Sequence, residues 1–419
     1  MREDAYAVAA AAARDGYGRL VAMLASADGD LAAAEDALGD ALERALRGWT
    51  DQGVPANPAG WLVTVARNRL RDRWKSAEVR RTDPLAAEPG ASLSYVEDID
   101  PDAIGDKRME LLFVCAHPAI DPAARAPLML NTVLGFTAAQ IAQAFAIPAA
   151  TMATRLVRAK RRIRDSRISF EIPDRTQVPG RMASVLEAVY GCYVIEWETG
   201  GQEPRPLPSE ALRLVEVLAE LAPDDPEARG LAALVLFSAA RAPARASGDG
   251  RFVPLAAQDT SLWDTGLIAR AHQHLREAHA RRSVGRFQLE AAIQALHCAR
   301  AAGHDLAWGS LRSLHAELHA IAPSLGSKTA LAAVTAETDG PVAGLTMLDD
   351  VIAESPRFQP AWATRAHLLS LVGRDDEAIR AYDRAIALTV DPGQRTFLQS
   401  RREDRRSSCR SQDEGIPIE

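Results

Sequence analysis

Between Thr137 and Arg167 the chain reads TAAQIAQAFAIPAATMATRLVRAKRRIRDSR, a short helical pattern, a proline-marked break and a basic helical pattern. Few arrangements accommodate that order. Thr137 can cap a first helix, because its hydroxyl accepts from an otherwise orphan backbone N–H, and Ile141 and Phe145 then fall on one face. Ala146, Ile147 and Pro148 form a break of the length that joins the two helices of a helix-turn-helix. In the second helix Met152, Leu156, Ala159 and Ile163 make an apolar stripe, while Thr151, Thr154, Arg155, Arg158 and Arg162 collect on another. One stripe is expected to dock and the other to face a partner. Seven Arg or Lys stand against one Asp between Thr151 and Arg167, and phosphate is the natural counter-charge, since neutralising it releases condensed counterions. Basic amphipathic helices also serve as solvated surface or bind membranes. The preceding helix and turn favour DNA, with residues 149–155 at base edges and the later arginines on phosphates.

The chain has 419 residues, enough for two or three domains, and a net charge of −7. Its 47% hydrophobic content is rich in alanine and aromatics make up 5%, so the expected fold is all-α. The four cysteines, Cys115, Cys192, Cys298 and Cys409, have no paired spacing, which argues against a disulfide framework or zinc knuckle and fits a reducing cytoplasm. No apolar run approaches the ~20 residues of a membrane span. Nucleophile, metal cluster and phosphate loop are all missing from the pattern, so no enzymatic activity and no cofactor are expected. Cys115 with His117, and the trio His272, His274 and His279, are read as structural.

An alanine-rich helix over residues 3–25 is followed by Asp28-Gly29-Asp30 as break and cap, then by a helix from Leu31 to Trp49. Leu31, Leu38, Leu42, Ala45 and Trp49 share its inner side, and Asp36, Asp40 and Glu43 recur on an outer one. Asn57 and Pro58 open a third helix reaching Ser76. Trp61 and Val65 point one way there, while Val63, Arg67, Arg71 and Trp74 interleave cations with aromatic and apolar side chains on another face, as a nucleic-acid surface does. Residues 82–106 hold seven Asp or Glu and no Lys or Arg, with Pro84, Pro89, Gly90 and Pro101 among them, the composition of a linker. Helices return from Lys107, the second of them capped by Asp121 and Pro122. Near the C-terminus Trp362, Ala366, Gly373, Ala378, Tyr382 and Ala385 hold the spacing of a tetratricopeptide repeat, with degenerate companions over 209–241, 265–301 and 306–353. The segment after Arg401 is expected to fray.

Taken in order, AAAEDALGDALERAL, GVPANPAGWLVTVARNRLRDR, LLFVCAHPAI and FTAAQIAQAFAIPAATMATRLVRAKRRIR resemble the extracytoplasmic-function (ECF) sigma factors of the sigma-70 family. With RPLPSEALRLVEVLAELAPDDPEARGLAALVLFSAAR and LAAQDTSLWD the resemblance extends to the subgroup with a tetratricopeptide-like C-terminal extension. It implies region 2 over 1–81, an acidic linker over 82–106, region 4 over 107–170, a regulatory helical extension over 171–400 and a flexible tail over 401–419. It further implies two partners, core RNA polymerase and promoter DNA, and a protein partner for the extension. Asp36, Asp40 and Glu43 match the helix that meets core polymerase. Asn57, Trp61, Arg67, Arg71 and Trp74 match the −10 surface, and Thr151, Thr154, Arg155, Arg158 and Arg162 the −35 surface. Gly39, Leu42 and the stretch YGCYVIEW at 190–197 depart from the family pattern. The competing expectation is a conventional helix-turn-helix regulator with a repeat domain that senses a protein or ligand.

Overall fold

The computed structural model describes residues 8–9, 17–18, 20–26, 29–80, 105–145, 147–166, 168, 170, 177–199, 209–247 and 251–413. Among them the architecture is all-α, with one isolated antiparallel bridge between Ala246 and Phe252. Two compact units divide the chain, Met1–Ile195 and Glu196–Glu419. Most of the 82–106 segment lies outside the described residues.

In the first unit, helical residues 20–25 precede α1 (Leu31–Gln52) and α2 (Pro58–Arg80). Asp30 caps α1 by accepting from the Ala33 N–H at 3.1 Å, and Gly53, at φ +84°, stops it. Leu31, Leu38, Ala45 and Trp49 are buried as the periodicity requires, with Leu42 half-buried. On α2 the buried side is Leu62, Val63, Ala66 and Leu70. Val63 therefore faces inward, not outward with the arginines. It lies one residue, about 100° of arc, from Leu62, and an apolar face that wide takes in both.

Next come α3 (Gly105–Cys115), α4 (Pro122–Thr132), α5 (Ala138–Ala144), α6 (Ala149–Asp165) and α7 (Val178–Thr199). Leu111, Leu112, Phe113 and Val114 are fully buried, so α3 is enclosed on every side there. Asp121 caps α4 by accepting from Ala123 N–H at 2.9 Å. Arg181 of α7 donates to the Phe113 carbonyl at 3.0 Å, tying α7 to α3.

The second unit contains α8 (Ser209–Leu221), α9 (Pro226–Ala240), α10 (Thr265–Ala280), α11 (Arg286–Cys298), α12 (Trp308–Ile321), α13 (Leu325–Asp339), α14 (Pro341–Glu354), α15 (Gln359–Leu371), α16 (Asp375–Leu388) and α17 (Pro392–Asp413). Gly230 through Ala240 of α9 are all buried, and α8, α10 and α11 pack around them. Close approach of α11 depends on Gly230, where a Cβ would lie 2.7 Å from the Gln288 backbone nitrogen. From α12 onward each helix packs on its chain neighbour, the quasi-linear arrangement of a helical stack. Ala366, Ala378, Tyr382 and Ala385 are buried between α15 and α16, and Gly373, at φ +72°, makes the turn. Trp362 is partly buried against the same cluster. Residues 401–413, expected to fray, continue α17. Leu398 is buried beneath the helix, and Arg402 pairs with Asp383 of α16 at 2.7 Å, giving the segment a surface to lie on.

His297 sits in this unit among Arg241, Arg300 and His315, and burial followed by those cations lowers its pKa to about 4. The folded chain thus keeps His297 neutral at a pH where the unfolded chain, with an ordinary value near 6.5, takes up a proton. Linkage then makes the unfolded state the better proton binder between the two values, so stability falls as pH falls through that window. Burial shifts His272, His315 and His367 in the same direction. Denaturant midpoints of the full chain should drop between pH 7 and pH 5, and His297→Gln should flatten that slope.

Candidate nucleic-acid interface

Thr137 accepts from Gln140 N–H at 3.3 Å while the Gln140 side chain accepts from Thr137 N–H at 2.9 Å, a reciprocal capping box that fixes where α5 begins. Ile141 is buried, whereas Phe145, expected on the same face, is the C-cap and 38% exposed. The helix ends one residue before it, so the helical register no longer carries it inward. Pro148 precedes α6, and Met152, Leu156, Ala159 and Ile163 are all buried, packed toward α4 and α5. Anchoring that stripe sets the direction of every other side chain on α6.

Beside it, Thr151, Thr154, Arg155, Arg158 and Arg162 line an open cleft of about 740 Å³, whose other wall is Ala119, Ile120, Asp121 and Ala124 at the start of α4. Two arginines are held in place by backbone: Arg155 donates to the Ala123 carbonyl and Arg162 to the Ala119 carbonyl, each at 3.2 Å. Arg158 is exposed. Three guanidinium groups and the N-terminal end of α4 converge there with one carboxylate, Asp121, which is engaged in capping. Helix N-termini and arginines both favour anions, so the cleft suits a phosphate backbone.

The remaining cations of α6 go elsewhere. Lys160 turns to Glu35 of α1, Arg161 lies 3.9 Å from Asp165, and Arg164 lies 3.8 Å from Asp30 and 3.5 Å from Asp165. Arg167 lies outside the described residues. The positive face is therefore narrower than a count of charges suggests.

On α2, Asn57 accepts from Gly60 N–H at 2.8 Å, serving as the expected cap. Trp61 is half-buried and stands edge-on to Trp49, ring centroids 5.4 Å apart. Arg67 is half-exposed and Arg71 exposed; the Trp74 side chain lies outside the described residues. Two other arginines of α2 reach the acidic face of α1: Arg69 contacts Asp40 at 2.6 Å, and Arg73 lies 4.0 Å from Asp36. Glu43 pairs with Arg47 on its own helix. Each of these pairs is solvent-exposed, and exposed pairs contribute ~0–1 kcal/mol, so a competing basic partner displaces them at little cost.

Cys115 is fully buried, which raises its thiol pKa, and His117 accepts from Ala119 N–H through Nδ1 at 3.1 Å. His274 faces Glu216 at 3.3 Å and His272 stands edge-on to Phe237. Among the described residues no group of His, Cys, Asp or Glu could hold a metal ion, and no helix is long and apolar enough to cross a membrane.

Residues 14–80 match the sigma-70 region 2 family and 111–163 the sigma-70 region 4 family, the second match spanning α4, α5 and nearly all of α6. The chain is 33% identical over 149 residues to a probable ECF RNA polymerase sigma factor, SigI, of Mycobacterium tuberculosis, covering 34% of this chain and 50% of that protein. A second, the ECF RNA polymerase sigma factor SigL of the same species, is 33% identical over 137 residues, 32% of this chain and 75% of its own length. The chain belongs to the ECF sigma factors of the sigma-70 family. Over nearly its whole length, 87% of this chain and 88% of the relative, it is 33% identical to an uncharacterized protein of Rhizobium meliloti. Residues 181–279 match a family of unknown function, DUF6596, so this sigma factor carries a helical extension beyond region 4.

Sequence reasoning passed over Glu35, Asn131 and Lys160. Lys160 Nζ donates to both Glu35 oxygens, at 2.8 and 2.6 Å, and to Asn131 Oδ1 at 2.7 Å. A signal existed: Glu35 falls between Leu31 and Leu38 on the buried stripe of α1, where a carboxylate needs a partner. Removing the capping box at the other end of the motif gives a direct check on its design. Thr137→Ala should lower stability by about 1 kcal/mol in denaturant unfolding, and reduced helical protection of residues 138–144 in hydrogen exchange should accompany it.

Proposed function

We propose that the chain is a promoter-specificity subunit that binds core RNA polymerase through Asp36, Asp40 and Glu43 and directs it to two promoter elements. Asn57, Trp61, Arg67, Arg71 and Trp74 engage the −10 element, and Thr151, Thr154, Arg155, Arg158 and Arg162 the −35 element. The observation that carries this reading is the cleft on α6, three arginines facing the N-terminal end of α4 on a capped helix-turn-helix. In this docking mode the first turns of α6 enter the major groove, and the arginines held by α4 carbonyls take the flanking phosphates. Exposed Thr151 and Thr154 at the start of α6 are placed for base edges, and Arg158 for base or phosphate. Chemistry on nucleotides belongs to the core enzyme in this scheme, and the chain supplies recognition alone.

The second unit acts in cis on that activity, by docking or by recruiting a further protein through its stacked helical hairpins, which form a tetratricopeptide-like array. Covalent attachment favours such control, because a tethered domain is present at high effective concentration.

Transcription in vitro with core polymerase tests the reading. The protein should confer initiation at a specific start site only when core enzyme is present, and equal initiation without it refutes the assignment. Arg158→Ala should weaken promoter use by ~1–3 kcal/mol if Arg158 reads a base, with the loss concentrated on promoters carrying that base. A uniform loss with a reduced salt slope identifies a phosphate contact instead.

A further inference from the structure

Met182, Val185, Val189 and Cys192 recur at helical spacing on α7 and are all buried. They lie in the first unit, which extends to Ile195, although the match to the family of unknown function begins at residue 181. The helix on which that match opens is therefore packed as part of the unit that holds the helix-turn-helix. Two contacts fix its neighbours. Gly191 lets α7 approach α4, where a Cβ would lie 3.2 Å from Leu130 Cδ1. Arg181, only 8% exposed, donates to the Phe113 carbonyl at 3.0 Å and to Gln177 at 2.9 Å. Phe113 lies in the last turn of α3, where carbonyls run out of intrahelical donors, so the guanidinium completes that helix end.

Immediately beyond it the chain turns into the wall of the α6 cleft. His117 stands in that turn, and burial, then the charge of Arg181, then that of Arg125 lower its pKa. A neutral imidazole matters here. Its Nδ1 accepts from the Ala119 N–H at 3.1 Å, whereas an imidazolium carries a proton on each nitrogen and can only donate. Ala119 is also engaged from the other side, because its carbonyl accepts from Arg162 of α6 at 3.2 Å. Arg125 closes the same turn by donating to the Ile120 carbonyl at 3.0 Å and the Pro118 carbonyl at 3.2 Å. An unbroken path thus runs from α7 to the cleft, through one carbonyl, one imidazole and one backbone amide.

We propose that Arg181 is a positioning residue for −35 recognition, setting the turn of residues 117–121 and with it the seat of Arg162, so that α7 is a working part of the reading module. This role rests on the promoter-specificity reading above. Arg181 meets neither DNA nor polymerase in it. Its charge is held away from water, where solvent and salt screen it less than they screen the exposed arginines of α6, and so it acts on the turn at longer range.

The test uses the full-length chain and two readouts. Arg181→Met removes the charge and its hydrogen bonds, and Arg181→Lys keeps the charge and one donor. Gly191→Leu crowds Leu130 without removing any polar group, and so carries the test if Arg181→Met fails to fold. Titration of the His117 ring by NMR, assigned with His117→Gln, reads the turn without polymerase or DNA. Arg181→Met should move its midpoint up toward the ordinary imidazole value, since a neighbouring cation no longer opposes protonation. Gly191→Leu should move it the same way, and Arg181→Lys should leave it near wild type. Initiation with core polymerase is then compared on the promoter that the wild-type protein selects and on the same template with its −35 element replaced. On the intact promoter Arg181→Met should lower initiation about three- to tenfold, the size of one lost hydrogen bond, and Arg181→Lys should restore most of it. Residual initiation on the altered template should be nearly unchanged. An unmoved His117 midpoint overturns the link between α7 and the turn. Equal losses on both templates, or no loss on either, overturn the positioning role, because a helix that only stabilises the fold weakens every promoter alike. Wild-type protein that directs no promoter-specific initiation refutes the functional reading instead, and the His117 titration still decides whether Arg181 sets the turn.

Discussion

Burial of Met152, Leu156, Ala159 and Ile163 against α4 and α5 is the constraint from which the functional geometry follows. A helix carrying as many cations as α6 has only a narrow apolar face to bury, so those four residues set its rotation. Once they are seated, the cleft-facing side chains, Thr151, Thr154, Arg155, Arg158 and Arg162, point at the start of α4, and Lys160, on the opposite flank, is delivered to Glu35. One packing event thus sets both what the helix presents to a partner and what it holds within the unit. The reciprocal cap at Thr137 and the proline at 148 bracket the turn so that α5 and α6 cannot merge into one helix.

Charge is handled differently at the surface and in the interior. The acidic edge of α1 is met by Arg69 and Arg73 of α2 in exposed pairs that solvent and salt weaken. Such pairs keep the edge from repelling itself while leaving it available to a stronger basic partner. Glu35 lies on the same helix, one residue before Asp36, yet turns inward and is shielded from solvent by Lys160 and Asn131. Adjacent acids on α1 consequently have opposite physical characters: one is exchangeable, the other committed to a single partner.

Much of this was readable in the sequence, and the limits have physical causes. Caps and stripes are local: Asp30, Asn57, Asp121 and Thr137 each satisfy backbone groups two or three residues away, and the α6 stripe repeats every three to four residues. Short-range chemistry of that kind is legible from spacing. Val63 was misplaced because periodicity gives the centre of an apolar face but not its width, and Phe145 because a helix that stops one residue early ends the register. The continuation of α17 to Asp413 depends on Arg402 finding Asp383, and the turning of Lys160 on an acid far along the chain. Composition carries no trace of either partner choice, since a basic run with no apolar residue looks solvated until its neighbour is known.

The second unit obeys a stricter rule than the first. Gly230 admits the backbone of α11 and Gly344 that of α13, where a Cβ would lie 2.6 Å from the Ala332 carbonyl oxygen, so its helices approach at distances only glycine allows. Side-chain polar groups caught in that packing have to be neutral or paired. Glu227 is paired, accepting from the Phe287 and Gln288 N–H groups at the start of α11 at 2.9 and 3.2 Å, and so stands in for a side-chain cap that Gly285 cannot supply. His297 is neutral, held so by burial and by the cations around it. Local packing in this extension is thus tight where glycines bring backbones together, while successive hairpins from α12 to α17 touch mainly their neighbours. A stack joined in that way transmits displacement along its length more readily than a globular core does, because each hairpin is held mainly by its neighbours, with Phe397 of α17 also standing edge-on to Phe252 at 5.6 Å.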